Sequence, residues 1–169
     1  IAFHPEDGTF GERIDTLISA RTLDKSISFP KPSFDGKYLM FTLSDYGNFS
    51  IWHKEADLWL LDLKTGAYRN LEEVNSDDTE SYHNWSSNSH WFVFSSRRGD
   101  GLYTRLYIAS VDEQGRIGKP FLLPQQDPYI FYDQSIYSYN VPEFVSAPVQ
   151  WDKREIAKGL MSKERVKVK

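Results

Sequence analysis

Cysteine is absent from the 169-residue sequence, so no disulfide bond contributes to its stability. No apolar run approaches the ~20 residues that a membrane-spanning helix requires, and we expect no membrane span. Basic residues are not in excess either, because 20 Lys and Arg stand against 24 Asp and Glu, for a net charge of −4. We therefore expect no nucleic-acid partner, since such partners select for a basic surface.

Signatures of catalysis and cofactor binding are missing as well. The sequence has no Gly-x-Ser-x-Gly nucleophile elbow, no Walker loop and no glycine-rich dinucleotide pattern. We accordingly assign no catalytic residue, no metal and no cofactor. The chain begins at Ile1 rather than Met, so the lack of a signal peptide gives no information about localisation.

Aromatic residues, in contrast, are abundant. Five Trp, 10 Tyr and 11 Phe make up 15% of the chain, and 40% of all residues are hydrophobic. Aromatic side chains favour strands, and a chain of this length can bury a core of its own. The composition therefore favours sheets stacked face against face.

A repeat of about fifty residues organises the chain. Residues 32–42 match residues 85–95, which lie 53 positions later. Each match opens a series of short apolar runs separated by turn signals. These signals are Asp35-Gly36, Thr65-Gly66, Asn88-Ser89 and Gln114-Gly115. Four strands per repeat and a period near fifty are typical of a β-propeller blade.

The repeat resembles that of TolB-like propellers, whose hallmark is Pro-x-x-Asp-Gly-Lys followed by an apolar strand. Residues 32–37, Pro-Ser-Phe-Asp-Gly-Lys, match the hallmark at every position. Residues 95–99, Ser-Ser-Arg-Arg-Gly, match the family's Ser-x-Arg-x-Gly segment. The second repeat departs from the hallmark, with Trp85 for Pro and Asn88-Ser89 for Asp-Gly. The resemblance covers residues 1–145 and implies an architecture rather than a chemistry.

The predicted fold class is all-β: antiparallel four-stranded blades of a partial TolB-like propeller, about three blade equivalents, with a short C-terminal helix or tail. Residues 1–25 are expected to end a preceding blade with its third and fourth strands, the fourth from Arg13 to Ala20. Residues 26–74 and 75–127 are each expected to form a full blade.

The remaining residues are predicted to leave the repeat. Residues 128–150 are expected to provide a connection, followed at 138–144 by the first strand of a next blade or the strand that closes the ring. Residues 151–169 form a basic C-terminal tail, helical from Asp152 to Met161. Cations in such a tail can contact anionic lipid or nucleic acid, but they are more typical of a solvated terminus.

Eight apolar side chains are predicted to be buried between blades, because their strands are apolar on both faces. They are Leu39, Phe41, Leu58, Leu60, Phe92, Phe94, Leu106 and Ile108. Since a propeller closes with about four to eight blades, we expect the rest of the propeller, its N-terminal half, as a partner. Self-assembly of two half-propellers is the less favoured alternative.

Candidate binding residues lie on loops expected at one rim of the propeller. They are Tyr46, Trp52, His53, Tyr82, His83 and Arg98. Aromatic and charged side chains on one rim suit a protein or carbohydrate partner, although solvated loops also occur without function. In the insertion at residues 44–56 we expect Phe49 and Ile51 to pack inward. After the second strand of the second blade we expect Arg97 to be structural and Arg98 exposed.

Histidine and acidic residues give no metal signature. His53, His83 and His90 are separated by 30 and 7 positions, and His90 is expected at a turn on the opposite face from the other two. Residues 77–80, Asp-Asp-Thr-Glu, lack the alternating ligands and the central Gly of an EF-hand loop. We interpret them as a solvated acidic loop.

Two functions remain open at this point. The resemblance implies a non-catalytic interaction or ligand-binding module of a bacterial cell-envelope protein, periplasmic or otherwise exported, because many TolB-like propellers bind other proteins there. The alternative is an enzyme, either a propeller-fold polyuronate lyase or the propeller domain that accompanies a hydrolase. We favour the module, because the sequence offers no nucleophile–base pair.

Overall fold

The computed structural model describes residues 1–162, and the basic tail residues beyond them lie outside that range. A hairpin and a short helix come first: β1 (Phe3–His4), β2 (Thr9–Phe10) and α1 (Ala20–Leu23). Four strands follow: β3 (Ser26–Pro32), β4 (Tyr38–Ser44), β5 (Asp57–Asp62) and β6 (Tyr68–Asn70). Four more are β7 (Glu80–Trp85), β8 (Trp91–Ser96), β9 (Arg105–Ser110) and β10 (Phe121–Leu122). The chain continues with α2 (Pro128–Asp133) and α3 (Lys153–Met161).

Strands β3 to β10 form two four-stranded antiparallel sheets. The strand order is β3-β4-β5-β6 in the first blade and β7-β8-β9-β10 in the second, so each strand pairs with its neighbour in sequence. Between Lys37 and Leu123 the structure has one helical segment, the single 3₁₀ turn Ser50–Trp52. The fold is therefore all-β, built from propeller-type blades with a short C-terminal helix, as the repeat predicts.

The four predicted turns join the expected strands, and three of them place Gly at a positive φ. Gly115 also lies so close to Tyr38 that an added Cβ would be 2.3 Å from the tyrosine hydroxyl. In the fourth turn Ser89 takes φ +60°, a conformation that is uncommon for residues other than Gly. The Ser89 hydroxyl accepts a hydrogen bond from the Asp35 amide at 3.0 Å, which links equivalent turns of the two blades.

A hydrophobic core lies between the blades. Met40, Leu58 and Leu60 of the first blade pack against Phe92 and Phe94 of the second, and all five are at most 4% exposed. A second cluster covers the opposite face of the first blade, with Phe41 and Leu61 at its centre. Four predicted core residues are therefore buried between the blades: Leu58, Leu60, Phe92 and Phe94. Phe41 is also buried, but on the opposite face of the first blade rather than between the two blades.

The other three predicted core residues, Leu39, Leu106 and Ile108, are only half-buried. Leu106 and Ile108 pair with Ser95 and Val93, as Leu58 and Leu60 pair with Thr42 and Met40. Positions that are equivalent in the repeat thus differ in burial. The second blade covers Leu58 and Leu60, but no third blade lies over Leu106 and Ile108 in residues 1–162.

The N-terminal residues depart from the expected fourth strand. Residues 11–19 form no strand, and α1 begins at Ala20, with Ser19 as its N-cap. Ile18 and Leu23 pack instead on the Phe41 cluster of the first blade. These apolar side chains of the segment are thus partly buried against a face of the first blade, although the segment itself forms no strand.

Between the second blade and residue 162 the chain forms no further strand, but it does dock on that blade. The Ser95 hydroxyl donates to the carbonyls of Tyr139 and Asn140, at 2.8 and 2.6 Å. Residues 138–144, expected as a strand, are therefore an extended cover over the face that carries Ser95. The predicted helix after Asp152 is present as α3, and the Asp152 side chain accepts from the Arg154 amide at 2.7 Å.

Candidate functional site

The loop that joins β4 to β5 is the insertion of the first blade, and we call residues 45–56 the rim loop. Its centre is anchored in protein: Ser50 and Ile51 are 0% and 5% exposed. The Ser50 hydroxyl lies 2.7 Å from that of Ser81, and the Thr79 hydroxyl donates to the Ser50 carbonyl at 2.9 Å. The rim loop is thus fixed to the first strand of the second blade.

Arg97 ties the rim loop to the next loop along the rim. Its guanidinium donates to the Ile51 carbonyl at 3.3 Å and to the Gly101 carbonyl. It also lies 5.3 Å from the centre of the Trp52 ring, within the range of a cation–π contact. Asp78, 3.8 Å from the Arg97 Nε, completes this arrangement. The structural role expected for Arg97 is present.

Three aromatic side chains of the rim loop face solvent, and we call them the rim patch. Tyr46, Phe49 and Trp52 are 70%, 71% and 72% exposed. Ile51 packs inward as predicted, but the inward packing predicted for Phe49 is wrong. The reason is the 3₁₀ turn, for which Phe49 is the N-cap residue and whose buried side chains are Ser50 and Ile51.

His53 lies within the rim loop and supports it. Its Nδ1 is 3.1 Å from a Glu55 carboxylate oxygen, and its ring meets the edge of Tyr46 with 4.4 Å between ring centres. Glu55 thus holds the His53 ring in place, and that ring in turn orients the Tyr46 side chain. The structure therefore brings three sequence-predicted candidates, Tyr46, Trp52 and His53, onto one loop.

Tyr82 lies on β7 and is half-buried rather than on a loop. Its ring contacts that of Phe29, with 4.8 Å between centres. Phe29 and Tyr82 are 53 positions apart, and both have positive φ values, +54° and +51°, at irregularities in the strand pairing. Equivalent positions of the two blades thus share a left-handed backbone conformation, which bulky residues seldom adopt.

His83 is buried and cannot contact a ligand at the rim. It is 2% exposed, and its Nε2 donates to the Met40 carbonyl at 3.0 Å. Its Nδ1 is buried without a hydrogen-bond partner in residues 1–162. Burial lowers the pKa of His83 to about 4, so the ring is neutral at pH 7. Its function is a polar bridge between the two blades, and its assignment to the rim was wrong.

Arg98 is also buried for the most part, which corrects its predicted exposure. Its guanidinium donates to Glu80 at 2.9 Å and to the Val74 carbonyl at 2.6 Å, and lies 4.6 Å from the centre of the Tyr107 ring. Glu80 is 0% exposed and also accepts from the hydroxyls of Ser76 and Ser96, each at 2.7 Å. Burial raises the pKa of Glu80, while these hydrogen bonds and the charge of Arg98 act in the opposite direction.

The acidic segment at residues 77–80 is therefore structural in part. Glu80 belongs to the buried pair with Arg98, and Asp78 is 8% exposed beside Arg97. Within residues 1–162, no group of three or more His, Asp or Glu side chains is placed to hold a metal ion. No helix in that range is long and apolar enough to cross a membrane.

Comparisons with known proteins give structural neighbours but no relative in sequence. No family model and no curated protein matches the sequence. The fold is similar to a structure from a study of inter-domain dynamics, catalysis and specificity in two prolyl endopeptidases. The match has 15% identity and a TM-score of 0.35, and covers 71% of this chain and 24% of the other. The assignment of propeller-type blades rests on the strand pairing above and not on this match.

Proposed function

We propose that the chain is a non-catalytic interaction module of a TolB-like propeller, and that the rim patch is its binding surface. The observation that carries the proposal is the exposure of Tyr46, Phe49 and Trp52, each at least 70%, on a loop whose centre is buried. Exposed aromatic clusters of this kind mark sites of interaction, since bare apolar surface is unfavourable in water.

The anchoring of the rim loop strengthens this proposal. Ser50, Ile51 and Arg97 fix the backbone, so the aromatic rings are presented without a large loss of loop entropy on binding. Aromatic residues are also enriched among the side chains that dominate binding energy in protein interfaces. A protein partner is therefore the favoured ligand of the rim patch.

The cell-envelope location is part of the same proposal. It is supported by the TolB-like hallmark at residues 32–37, since propellers with that hallmark are commonly exported. The half-buried Leu106 and Ile108 support a further partner, a neighbouring blade on the outer face of the second blade.

The test is capture of proteins from a bacterial envelope extract by the immobilised full chain. Trp52→Ala and Phe49→Ala should each reduce capture of the same partner about tenfold or more, because exposed aromatic anchors dominate such interfaces. The melting temperature should change little, since neither ring is part of the core.

Phe34→Ala is the matched control, because Phe34 is 68% exposed on a turn at the other end of the sheet. It should leave capture unchanged. Equal capture by all three variants would overturn the proposal, as would a large fall in melting temperature in Trp52→Ala, which would identify Trp52 as packing.

A further inference from the structure

A cavity of about 440 Å³ lies between the second blade and α2, away from the residues of the rim patch. We call it the α2 pocket. Its lining includes three tyrosines and two aspartates: Tyr103, Tyr107, Tyr132, Asp100 and Asp133. Its volume is in the range of small-molecule sites, which are typically concave with a few convergent polar groups.

Arg105 builds one wall of the α2 pocket. It is 6% exposed, and its guanidinium donates to the carbonyls of Tyr137, Tyr132 and Ser135, at 2.6, 2.9 and 3.0 Å. These bonds fix the chain that follows α2 onto the blade. Asp100, 4.0 Å away, balances the charge of Arg105.

A second attachment fixes α2 from its other side. The Tyr132 hydroxyl donates to the Leu123 carbonyl at 2.5 Å, and the Asp127 side chain caps α2 by accepting from the Ile130 amide at 3.0 Å. The walls of the α2 pocket are therefore held by hydrogen bonds within the protein, of which the bond from Arg105 to the Tyr132 carbonyl is buried. Such a cavity is preformed, and a ligand need not order it on binding.

Several polar groups that line the α2 pocket have no partner within the protein. In residues 1–162 the half-buried Tyr103 and Tyr107 make no hydrogen bond through their hydroxyls, and the exposed Asp133 makes no hydrogen bond or ion pair with the protein. Asp133 is also the last residue of α2, where a negative charge is unfavourable because it faces the carbonyl end of the helix. Residues that break a local rule in this way are often functional.

The charges around the α2 pocket restrict the ligand. Guanidinium groups lie near the rings already: Arg98 is 4.6 Å from the Tyr107 ring centre, and Arg105 is 5.3 Å from that of Tyr103. These two ring faces are therefore already occupied by cations and are not free for a cationic ligand. Each guanidinium is also paired with a carboxylate, Arg98 with Glu80 and Arg105 with Asp100, so neither offers an unpaired charge to an anionic ligand. Burial raises the pKa of Tyr107, so its hydroxyl keeps its proton and can donate.

We propose that the α2 pocket binds a neutral saccharide, whose hydroxyls donate to Asp133 and accept from Tyr107 and Tyr103. Hydroxyl groups both donate and accept, which matches the mixture of a free carboxylate and two phenols. This site shares no residue with the rim patch, so either proposal can fail without the other.

The test is NMR of the full chain with ring-labelled tyrosine, titrated with maltose, cellobiose and lactose at millimolar concentrations. At least one disaccharide should shift the signals of Tyr103 and Tyr107, whereas choline and glucuronate should not. Tyr107→Phe and Asp133→Asn should each weaken binding about tenfold, as expected for a lost hydrogen bond in a carboxylate site. Tyr107→Phe should keep the wild-type melting temperature, because the hydroxyl that it removes has no protein partner. Asp133→Asn should not lower the melting temperature, because it removes a negative charge from the carbonyl end of α2.

Tyr129→Phe and Asp77→Asn are matched controls outside the α2 pocket and should bind as the wild type does. The proposal is overturned if none of the three disaccharides shifts the tyrosine signals of the wild-type protein. A shift with choline but not with a disaccharide, or equal affinity in all four variants, would also overturn it.

Discussion

At the scale of single residues, buried polar groups accompany the apolar core between the blades. His83 and the Glu80–Arg98 pair are buried, and their partners lie on other strands or loops: the His83 Nε2 donates to the Met40 carbonyl and Arg98 donates to Glu80. The Nδ1 of His83 has no partner in residues 1–162. Buried polar groups with partners restrict how two elements can pack, because any other arrangement leaves them unsatisfied. These groups therefore fix the orientation of the second blade on the first.

His83 predicts a pH dependence of stability. Its pKa is about 4 in the folded chain against a usual value of 6.5, so the folded state favours the neutral ring. The contribution of His83 is complete above pH 6.5 and is lost as the pH falls towards about 4. The loss is roughly 3 kcal/mol, at about 1.4 kcal/mol for each unit of pKa shift.

Urea unfolding of the wild type and of His83→Gln at pH 7 and pH 4.5 measures this loss, because the difference between the two proteins removes the effect of the carboxylates. The wild type should lose more stability than the variant between these pH values. His90→Gln, at an exposed turn, is the control and should behave as the wild type does. An identical pH dependence in His83→Gln would contradict the assignment.

The sequence identified candidate residues for the rim, but it did not predict which of them are exposed. Tyr82 and His83 were expected on a loop, yet β7 begins at Glu80, so both lie within a strand, where successive side chains face opposite sides. Arg97 donates to the Ile51 carbonyl, and Arg98 donates to the Val74 carbonyl and the Glu80 carboxylate, all of which are distant in sequence. Such partners depend on packing between blades, which a local pattern does not contain.

At the scale of elements, the blades follow the sequence closely because their signals are local. Turn residues and apolar runs recur 53 positions apart, and each blade pairs neighbouring strands. The strand expected between Arg13 and Ala20 is missing because a strand needs a partner edge, which sequence alone does not supply. The sequence does contain a signal for helix α2, namely Asp127 as N-cap before Pro128 at the first position. This helix lies at the start of residues 128–150, which were predicted to be a connection.

Equivalent positions in the two blades predict different costs of truncation. Phe94→Ala should lower the free energy of unfolding by about 3–5 kcal/mol, because Phe94 is 0% exposed between the blades. Leu58→Ala should cost about 2–5 kcal/mol for the same reason. Leu106→Ala, at the equivalent half-buried position, should cost only about 1–2 kcal/mol.

Chemical denaturation of the three variants tests this difference. A loss below about 1 kcal/mol for Phe94→Ala would contradict the interblade position of β8. Equal losses for Leu58→Ala and Leu106→Ala would show that the outer face of the second blade is covered as fully as the interblade face.

At the scale of the whole molecule, the two outer faces of the blade pair are covered unequally. The first blade is covered by Ile18 and Leu23, whereas the second is covered by an extended segment that binds Ser95 and leaves Leu106 and Ile108 half-exposed. An apolar sheet face of this kind is a surface on which another blade can pack. The central claim of our account is that these blades are part of a larger propeller that carries the rim patch.

Light scattering of the purified full chain tests this claim most directly. We expect a mass above the 19.7 kDa of one chain, because copies should associate through the outer face of the second blade. Ile108→Glu should reduce this association by placing a charge in that face, whereas Phe34→Glu, on an exposed turn, should not. A stable, cooperatively unfolding monomer of 19.7 kDa would contradict the claim.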